Sequence, residues 1–335
     1  MILFVHINEN LLMSFFESIC YYSGLLCLFH GIFILYRFII SYISSFTDLK
    51  KKYKSEWAFV TGASNGLGLK ISIQLAKQGY NVIGTGRNVK ALENAKNQIE
   101  STYPNVKFIP IRADFSNYET GVKIVSEELQ NTDFDIKILI INAGYGMTGP
   151  LIEVENQKLY EFVNTMCTTY AQLAREFIIK NKSIIYNTEK NSIENKCLLY
   201  FTSSLAAEVN TPLAAMYCSV KSYDSAFAKH LSIEKNATNL DITVMQPGFF
   251  SNKKSTSNFS GFLGKIFSID NIYPPNDEVC DCVMKTLGKN TIVDCCASSL
   301  VARILVWIVG EYPAYLASKL IAKIKINKMN KNNKC

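Results

Sequence analysis

The stretch Trp57-Ala-Phe-Val-Thr61-Gly62-Ala-Ser64-Asn65-Gly66-Leu67-Gly68 decides the fold. Its first five residues are a short apolar run that reads as a buried strand, and the glycines behind it let the chain turn sharply. Leu69, Ile71, Ile73, Leu75 and Ala76 then supply the apolar residues of a helix that stops at Gly79, a residue suited to ending one. The order is strand, glycine turn, helix. A pyrophosphate can approach the backbone N–H groups at such a helix start, where the helix dipole favours negative charge. The spacing is GxxxGxG rather than GxGxxG, and a purely structural loop would use the same glycines.

Outward from this unit, Tyr80-Asn-Val-Ile-Gly-Thr85 reads as a second strand, with Gly86-Arg87 at its carboxyl end, about 20 residues beyond the turn. No acid stands between Gly62 and Leu92 to hold a ribose 2′-hydroxyl. Arg87 instead offers a guanidinium to a 2′-phosphate, so the sequence prefers NADP(H), a solvated surface arginine being the alternative. The pattern repeats: strand Val106 to Ala113 ending at Asp114, helix 117–130, strand Lys137 to Ile141 ending in Asn142-Ala143-Gly144, and later strands Leu198 to Thr202 and Asp241 to Gln246. Alternating strands and helices predict an α/β fold, a Rossmann-type doubly wound parallel sheet.

The strand Leu198 to Thr202 runs into Ser203-Ser204, and 13 residues after Ser204 comes Tyr217-Cys-Ser-Val-Lys221. Tyr and Lys four apart share a helical face, and an ammonium beside a phenol favours the phenolate and eases proton exchange near neutral pH. Ser204, at a strand's carboxyl end, faces the same crevice and can donate a hydrogen bond to a carbonyl. YxxxK alone is a frequent accident; with the serine, the glycine turn and Asn-Ala-Gly it is not.

From about Trp57 to Ser251 the chain resembles the short-chain dehydrogenase/reductase family: the glycine turn, Asn142-Ala143-Gly144, Ser204, Tyr217/Lys221 and Pro247-Gly248 stand in family order. The resemblance implies that Tyr217 exchanges the proton, that Lys221 assists it and holds the nicotinamide ribose, and that Ser204 positions the carbonyl. Asn164, in Phe162-Val-Asn-Thr, matches an asparagine that anchors a water in a proton relay; Asn88 and Asn156 are less well placed. It implies cofactor contacts from Gly62, Ser64, Asn65, Gly66, Leu67, Gly68, Arg87, Asp114, Asn142, Ala143, Gly144, Tyr217, Lys221, Pro247 and Gly248. Two departures stand out. The polar stretch Asn181 to Asn195 looks like a surface insertion, and Asn252 occupies the position where a threonine often contacts the carboxamide.

Within the family, the membrane helix, collar and Arg87 look like the endoplasmic-reticulum branch of very-long-chain 3-oxoacyl-CoA reductases and 17β-hydroxysteroid dehydrogenase type 12-like proteins. That implies reduction of a 3-oxoacyl-CoA in fatty-acid elongation. Steroid, retinol or 3-ketosphinganine substrates fit the same features, as would a non-catalytic NADP-binding scaffold of a lipid-synthesis complex. A homodimer through helices at about 155–179 and 214–235, and membership of an elongation complex, are family expectations.

Composition agrees. Among 335 residues only 19% are charged and 48% are hydrophobic, which excludes intrinsic disorder and is apolar for a soluble enzyme. Residues 1–46 hold only Glu9, Glu17 and Arg37 as formal charges, and Ser18 to Tyr36 is a 19-residue run with none. A helix of that length spans roughly 28 Å, enough for one hydrocarbon core. The acidic flank before it argues against a cleaved signal peptide, and Arg37, Lys50, Lys51, Lys52 and Lys54 after it place the bulk of the protein in the cytosol. Charges of 35 Lys+Arg against 28 Asp+Glu give 35 − 28 = +7, without the basic–aromatic interleaving of a nucleic-acid groove binder. Ten scattered cysteines without CxxC, and three histidines, support neither a zinc site nor a disulfide framework, so no metal is expected and the thiols are read as free and packed in the core. The division is a membrane anchor at 1–49, a Rossmann domain at 50–296 containing a substrate lid from Ser251 to Asn276, and an apolar then basic membrane-associated segment at 297–335.

Overall fold

The computed structural model describes residues 9–187, 195–209, 211, 213–234, 239–248, 276–289, 292–293, 303–304, 310, 315–316, 319–320 and 323. Seven parallel strands form one sheet: β1 (Trp57–Val60), β2 (Asn81–Gly86), β3 (Phe108–Arg112), β4 (Ile136–Ile141), β5 (Cys197–Thr202), β6 (Leu240–Met245) and β7 (Ile292–Val293), in the order β3-β2-β1-β4-β5-β6-β7. The order reverses between β1 and β4, which opens a crevice at the carboxyl ends of the strands. Central strands read as unbroken apolar runs because both faces are covered. All six residues of β4 are buried, and along β5 the side chains alternate, Cys197, Leu199 and Phe201 to one face, Leu198 and Tyr200 to the other.

One face is covered by α3 (Gly66–Lys77), α4 (Val89–Thr102) and α10 (Asn276–Thr286), which bury Ile71, Leu75, Leu92, Ile99, Val279 and Val283. The other carries α5 (Val122–Asn131), α7 (Thr169–Lys180) and α9 (Ala215–Glu234), through Val125, Leu129, Leu173, Phe177 and Ala228. The strands lie close to where the sequence places them. The long helix expected at 155–179 is instead α6 (Asn156–Val163), a π turn at Asn164–Thr168 and α7. No proline or glycine marks this break; the Thr169 N–H and hydroxyl both turn back to the Asn164 carbonyl, the hydroxyl at 2.9 Å. The expected surface insertion is anchored where it begins: Asn181 is buried and donates to the Ile136 carbonyl at 3.1 Å, and α8 (Lys182–Ile185) buries Ile185.

Before the sheet, α1 (Glu9–Ile43) contains Met13–Tyr36, 24 residues apolar and long enough to cross a membrane. Phe15, Tyr21, Leu26, Phe29 and Phe33 project from it unburied, whereas Ile34 is buried and the helix touches α10 and β7. A short helix α2 (Leu49–Tyr53) then wedges under the amino-terminal edge of the sheet, with Leu49 and Tyr53 fully buried. The Tyr53 hydroxyl donates to Asp241 at 3.0 Å, and Lys52 pairs with the same carboxylate at 2.8 Å. Lys50 donates to the Ser55 carbonyl and lies over the Tyr80 ring. Lys50 and Lys52 of the basic collar Lys50–Lys54, which the sequence uses to set orientation, are therefore engaged by the domain, whereas Lys51 and Lys54 are exposed. The thiols also divide: Cys197, Cys280 and Cys282 are buried, whereas Cys20 and Cys27 lie exposed on α1.

Candidate active site

Parallel register brings the strand ends level, pairing Val60 with Ile140, Ile141 with Phe201, and Thr202 with Met245. The loops behind them are latched together. Thr61 Oγ1 accepts from the N–H groups of Asn142 at 2.9 Å and Ala143 at 3.0 Å, and Thr202 Oγ1 donates to Asn142 Oδ1 at 3.1 Å. Gly62 has φ +70°, and a Cβ there would stand 2.9 Å from the Ala143 Cα, so the turn can run this close to the Asn-Ala-Gly loop only with glycine. Asn65 caps α3, its Oδ1 accepting from the Gly66 N–H at 2.8 Å, while the N–H groups of Leu67 and Gly68 belong to the first turn, where no helical carbonyl accepts them. Ser64 packs over Gly86, with Oγ 2.7 Å from where a Cβ would be.

Arg87 is exposed at the end of β2, its guanidinium 5.8 Å from the centre of the Tyr145 ring, and it makes no ion pair among the described residues. An amide cradle at a helix start followed by an uncommitted guanidinium is a donor set that fits a dinucleotide carrying a 2′-phosphate. Asp114 is partly committed to its own turn, Oδ1 accepting from the Ser116 N–H and hydroxyl at 3.1 and 2.9 Å. Pro247 and Gly248 are buried after β6, and the Pro247 carbonyl takes the Leu205 N–H at 2.9 Å, tying their loop to the one that carries Ser204.

Ser204 begins a single 3-10 turn at Leu205–Ala207, and its Oγ accepts from the Ala206 N–H at 3.1 Å, which leaves the hydroxyl proton for a ligand. Tyr217 is half-buried on α9, packed with Phe162, Met166, Val220 and Met216. One turn on, Lys221 is buried and Nζ donates to the Thr202 carbonyl at 2.8 Å and to Asp224 Oδ2 at 3.0 Å. Ser203 fixes the helix against the strand: Oγ donates to the Lys221 carbonyl and shares a hydrogen bond with Ser225, both at 2.7 Å. Asn164 sits in the π turn, and its Nδ2 donates to the carbonyls of Phe115 and Ser116 at 3.2 and 3.3 Å, bracing the loop behind β3. Asn88 caps α4 and Asn156 opens α6, both away from this cluster.

Two residues of this cluster escaped the sequence reading. Tyr170 is fully buried, its hydroxyl donates to the Ala143 carbonyl at 3.1 Å, and its ring lies 5.6 Å from Lys221 Nζ. Asp224 is fully buried beside Lys221; burial pushes its carboxyl up and the ammonium pulls it back. Burial likewise works against the ammonium, but Asp224 first, with Tyr170 and Tyr217 adding to it, outweighs burial and Lys221 ends above its ordinary value. The asymmetry has a structural cause: Lys221 has two acceptors, whereas Asp224 Oδ1 is buried with no donor. The signal was in the sequence, since 217, 221, 224 and 228 recur at helical spacing. A small apolar hollow is lined by Met147, Gly149, Leu151, Val154, Leu213 and Met216, the last being the residue before Tyr217 on α9. The expected lid, Asn252 and most of the carboxyl-terminal segment lie outside the described residues.

Residues 56–260 match the profile described as short chain dehydrogenase. A very-long-chain 3-oxoacyl-CoA reductase of Lodderomyces elongisporus is 27% identical over 252 residues, covering 71% of this chain and 70% of that protein. A very-long-chain 3-oxoacyl-CoA reductase-like protein of Arabidopsis thaliana is 26% identical over 278 residues, 78% of this chain and 81% of its own. Among solved structures, a short-chain dehydrogenase from Sphingobium yanoikuyae in complex with NADPH superposes with a TM-score of 0.60 at 16% identity, covering 71% of this chain and 87% of that one.

Proposed function

The chain belongs to the short-chain dehydrogenase family, and on that premise we propose that it is a membrane-anchored, NADPH-dependent reductase of a lipid carbonyl, converting a 3-oxoacyl-CoA to its 3-hydroxy form in very-long-chain fatty-acid elongation. The observation that carries this reading is the cluster of Ser204, Tyr217 and a buried, charged Lys221 at the carboxyl end of β5. The relatives named as 3-oxoacyl-CoA reductases support the substrate class, and the uncommitted Arg87 supports the phosphorylated cofactor.

In this reading Gly62, Ser64, Asn65, Gly66, Leu67 and Gly68 hold the pyrophosphate, Arg87 the 2′-phosphate, and Asp114, Asn142, Ala143, Gly144, Pro247 and Gly248 the adenine and nicotinamide ends. NADPH, when bound, supplies the hydride to the carbonyl carbon. Ser204 donates a hydrogen bond to the carbonyl oxygen and fixes its position. The Tyr217 hydroxyl delivers the proton to that oxygen, and Lys221 stabilises the phenolate left behind. Asn164 supports proton resupply from the back of the site. Residues 1–49 serve as anchor with the domain at 50–296 in the cytosol, and 297–335 as a further membrane-associated segment of an endoplasmic-reticulum protein.

The test is NADPH oxidation by the full chain in lipid nanodiscs, offered a panel of 3-oxoacyl-CoAs, steroids and 3-ketosphinganine. Long-chain 3-oxoacyl-CoA is expected to be the best substrate, and Tyr217→Phe should lower kcat by about two to four orders of magnitude. Equal rates for Tyr217→Phe would overturn the mechanism, and preference for another panel member would overturn the substrate.

A further inference from the structure

We propose that Asp224 is a positioning residue for the reaction: its buried carboxylate holds the Lys221 ammonium in place and keeps it charged inside the protein. This rests on the reading of Tyr217 and Lys221 as the reacting pair. The residues 217, 221 and 224 lie on one face of α9, and Asp224 is fully inside, with Oδ2 3.0 Å from Lys221 Nζ. Packing alone does not account for an acid there, because Oδ1 is buried without a donor and an apolar side chain would fill the space at no such cost. The ammonium does account for it. Lys221 is itself buried, and its other polar neighbours, the Thr202 carbonyl and the Tyr170 hydroxyl, are neutral. A buried lysine with only neutral partners sheds its proton, and a neutral amine gives a neighbouring phenolate no charge stabilisation.

The other titratable groups around the pair are Tyr170 from α7, Cys167 from the π turn, and Tyr217 and Tyr223 on α9 itself. Burial pushes the Cys167 thiol up to about 11 and raises Tyr170 and Tyr223 as well, so these stay uncharged near neutrality. Lys221 and Asp224 are then the charges of the cluster. Removing the negative one makes every proton in the cluster easier to lose, whichever of Tyr217 and Lys221 gives it up first.

Asp224→Asn is therefore expected to move the alkaline limb of the pH profile for NADPH-dependent reduction to lower pH by about one unit or more, as expected for loss of a close opposite charge. The limb of the reverse oxidation with NADP should move the same way, and Asp224→Glu, which restores a carboxylate, should return both. Asp224→Leu removes the same charge and replaces Asp224→Asn if that variant does not fold. A lower rate with an unmoved limb would make Asp224 merely structural and overturn the inference. An ultraviolet phenolate titration, taken as the difference between each protein and its Tyr217→Phe counterpart, reads the same shift without turnover. If the wild type reduces no carbonyl and this titration still shifts, the functional reading fails while the hold of Asp224 on the charge of Lys221 stands; an unshifted titration overturns the inference on its own.

Discussion

At the scale of single residues, Arg87 is the proposed determinant of cofactor choice. It stands exposed at the end of β2 with an aromatic ring beside it and no acid paired to it among the described residues. A charge-assisted hydrogen bond to phosphate contributes about 1.5–3 kcal/mol, so Arg87→Ala should weaken NADPH binding roughly 10- to 100-fold and leave NADH binding unchanged. Cofactor fluorescence titration reads both. Arg87, the glycines, Ser204, Tyr217 and Lys221 were legible because residue type and order along the chain suffice to place the first three groups at strand ends and the Tyr-Lys pair on one face of a helix. Tyr170 and Asp224 were not singled out, because their meaning lies in what they touch. The Tyr170 hydroxyl matters through a carbonyl 27 positions away, and Asp224 through the burial of both members of its pair.

Among the elements, α2 shows how five residues join two parts of the molecule. Asp241, at the amino end of β6, collects the Tyr53 hydroxyl together with Lys52 and Lys196, so the helix is held by hydrogen bonds as well as by Leu49. Tyr53→Phe should lower stability by about 1–2 kcal/mol, the net loss of one partly buried hydrogen bond to a charged acceptor, seen as a lower urea midpoint with an unchanged slope. Strands were readable almost residue by residue, since a run such as Ile138 to Ile141, buried on both faces, has no other stable reading. The π turn was not, because nothing in Asn164-Thr-Met-Cys-Thr168 disfavours an ordinary helix; a side-chain hydroxyl and the needs of the loop behind β3 impose it. Nor was the docking of the Lys50–Lys54 collar, whose composition suits a lipid surface and a protein surface equally.

For the whole molecule, the proposed anchor can be tested by truncation on either side of α2. A chain beginning at Ser45 keeps α2 and should change from detergent-extractable to carbonate-extractable while still binding NADPH. One beginning at Ser55 loses Leu49 and Tyr53, two fully buried side chains contributing about 1.5–3 kcal/mol each, a large part of a domain's 5–15 kcal/mol. It should unfold at a markedly lower temperature, which thermal denaturation followed by circular dichroism reads directly. The wedge under the sheet has a geometric consequence. All seven strands are parallel, so α2 grips the amino ends, at Asp241 and beside Lys137, while Gly62, Arg87, Asn142, Ser204 and Pro247 crown the carboxyl ends. The tether and the chemistry lie on opposite rims of one slab, a strand's length or roughly 20 Å apart. If α1 crosses a membrane as proposed, α2 ties that crossing to the rim of the slab opposite the candidate site, so a substrate tail leaving the bilayer would have to pass along the sheet to reach Tyr217.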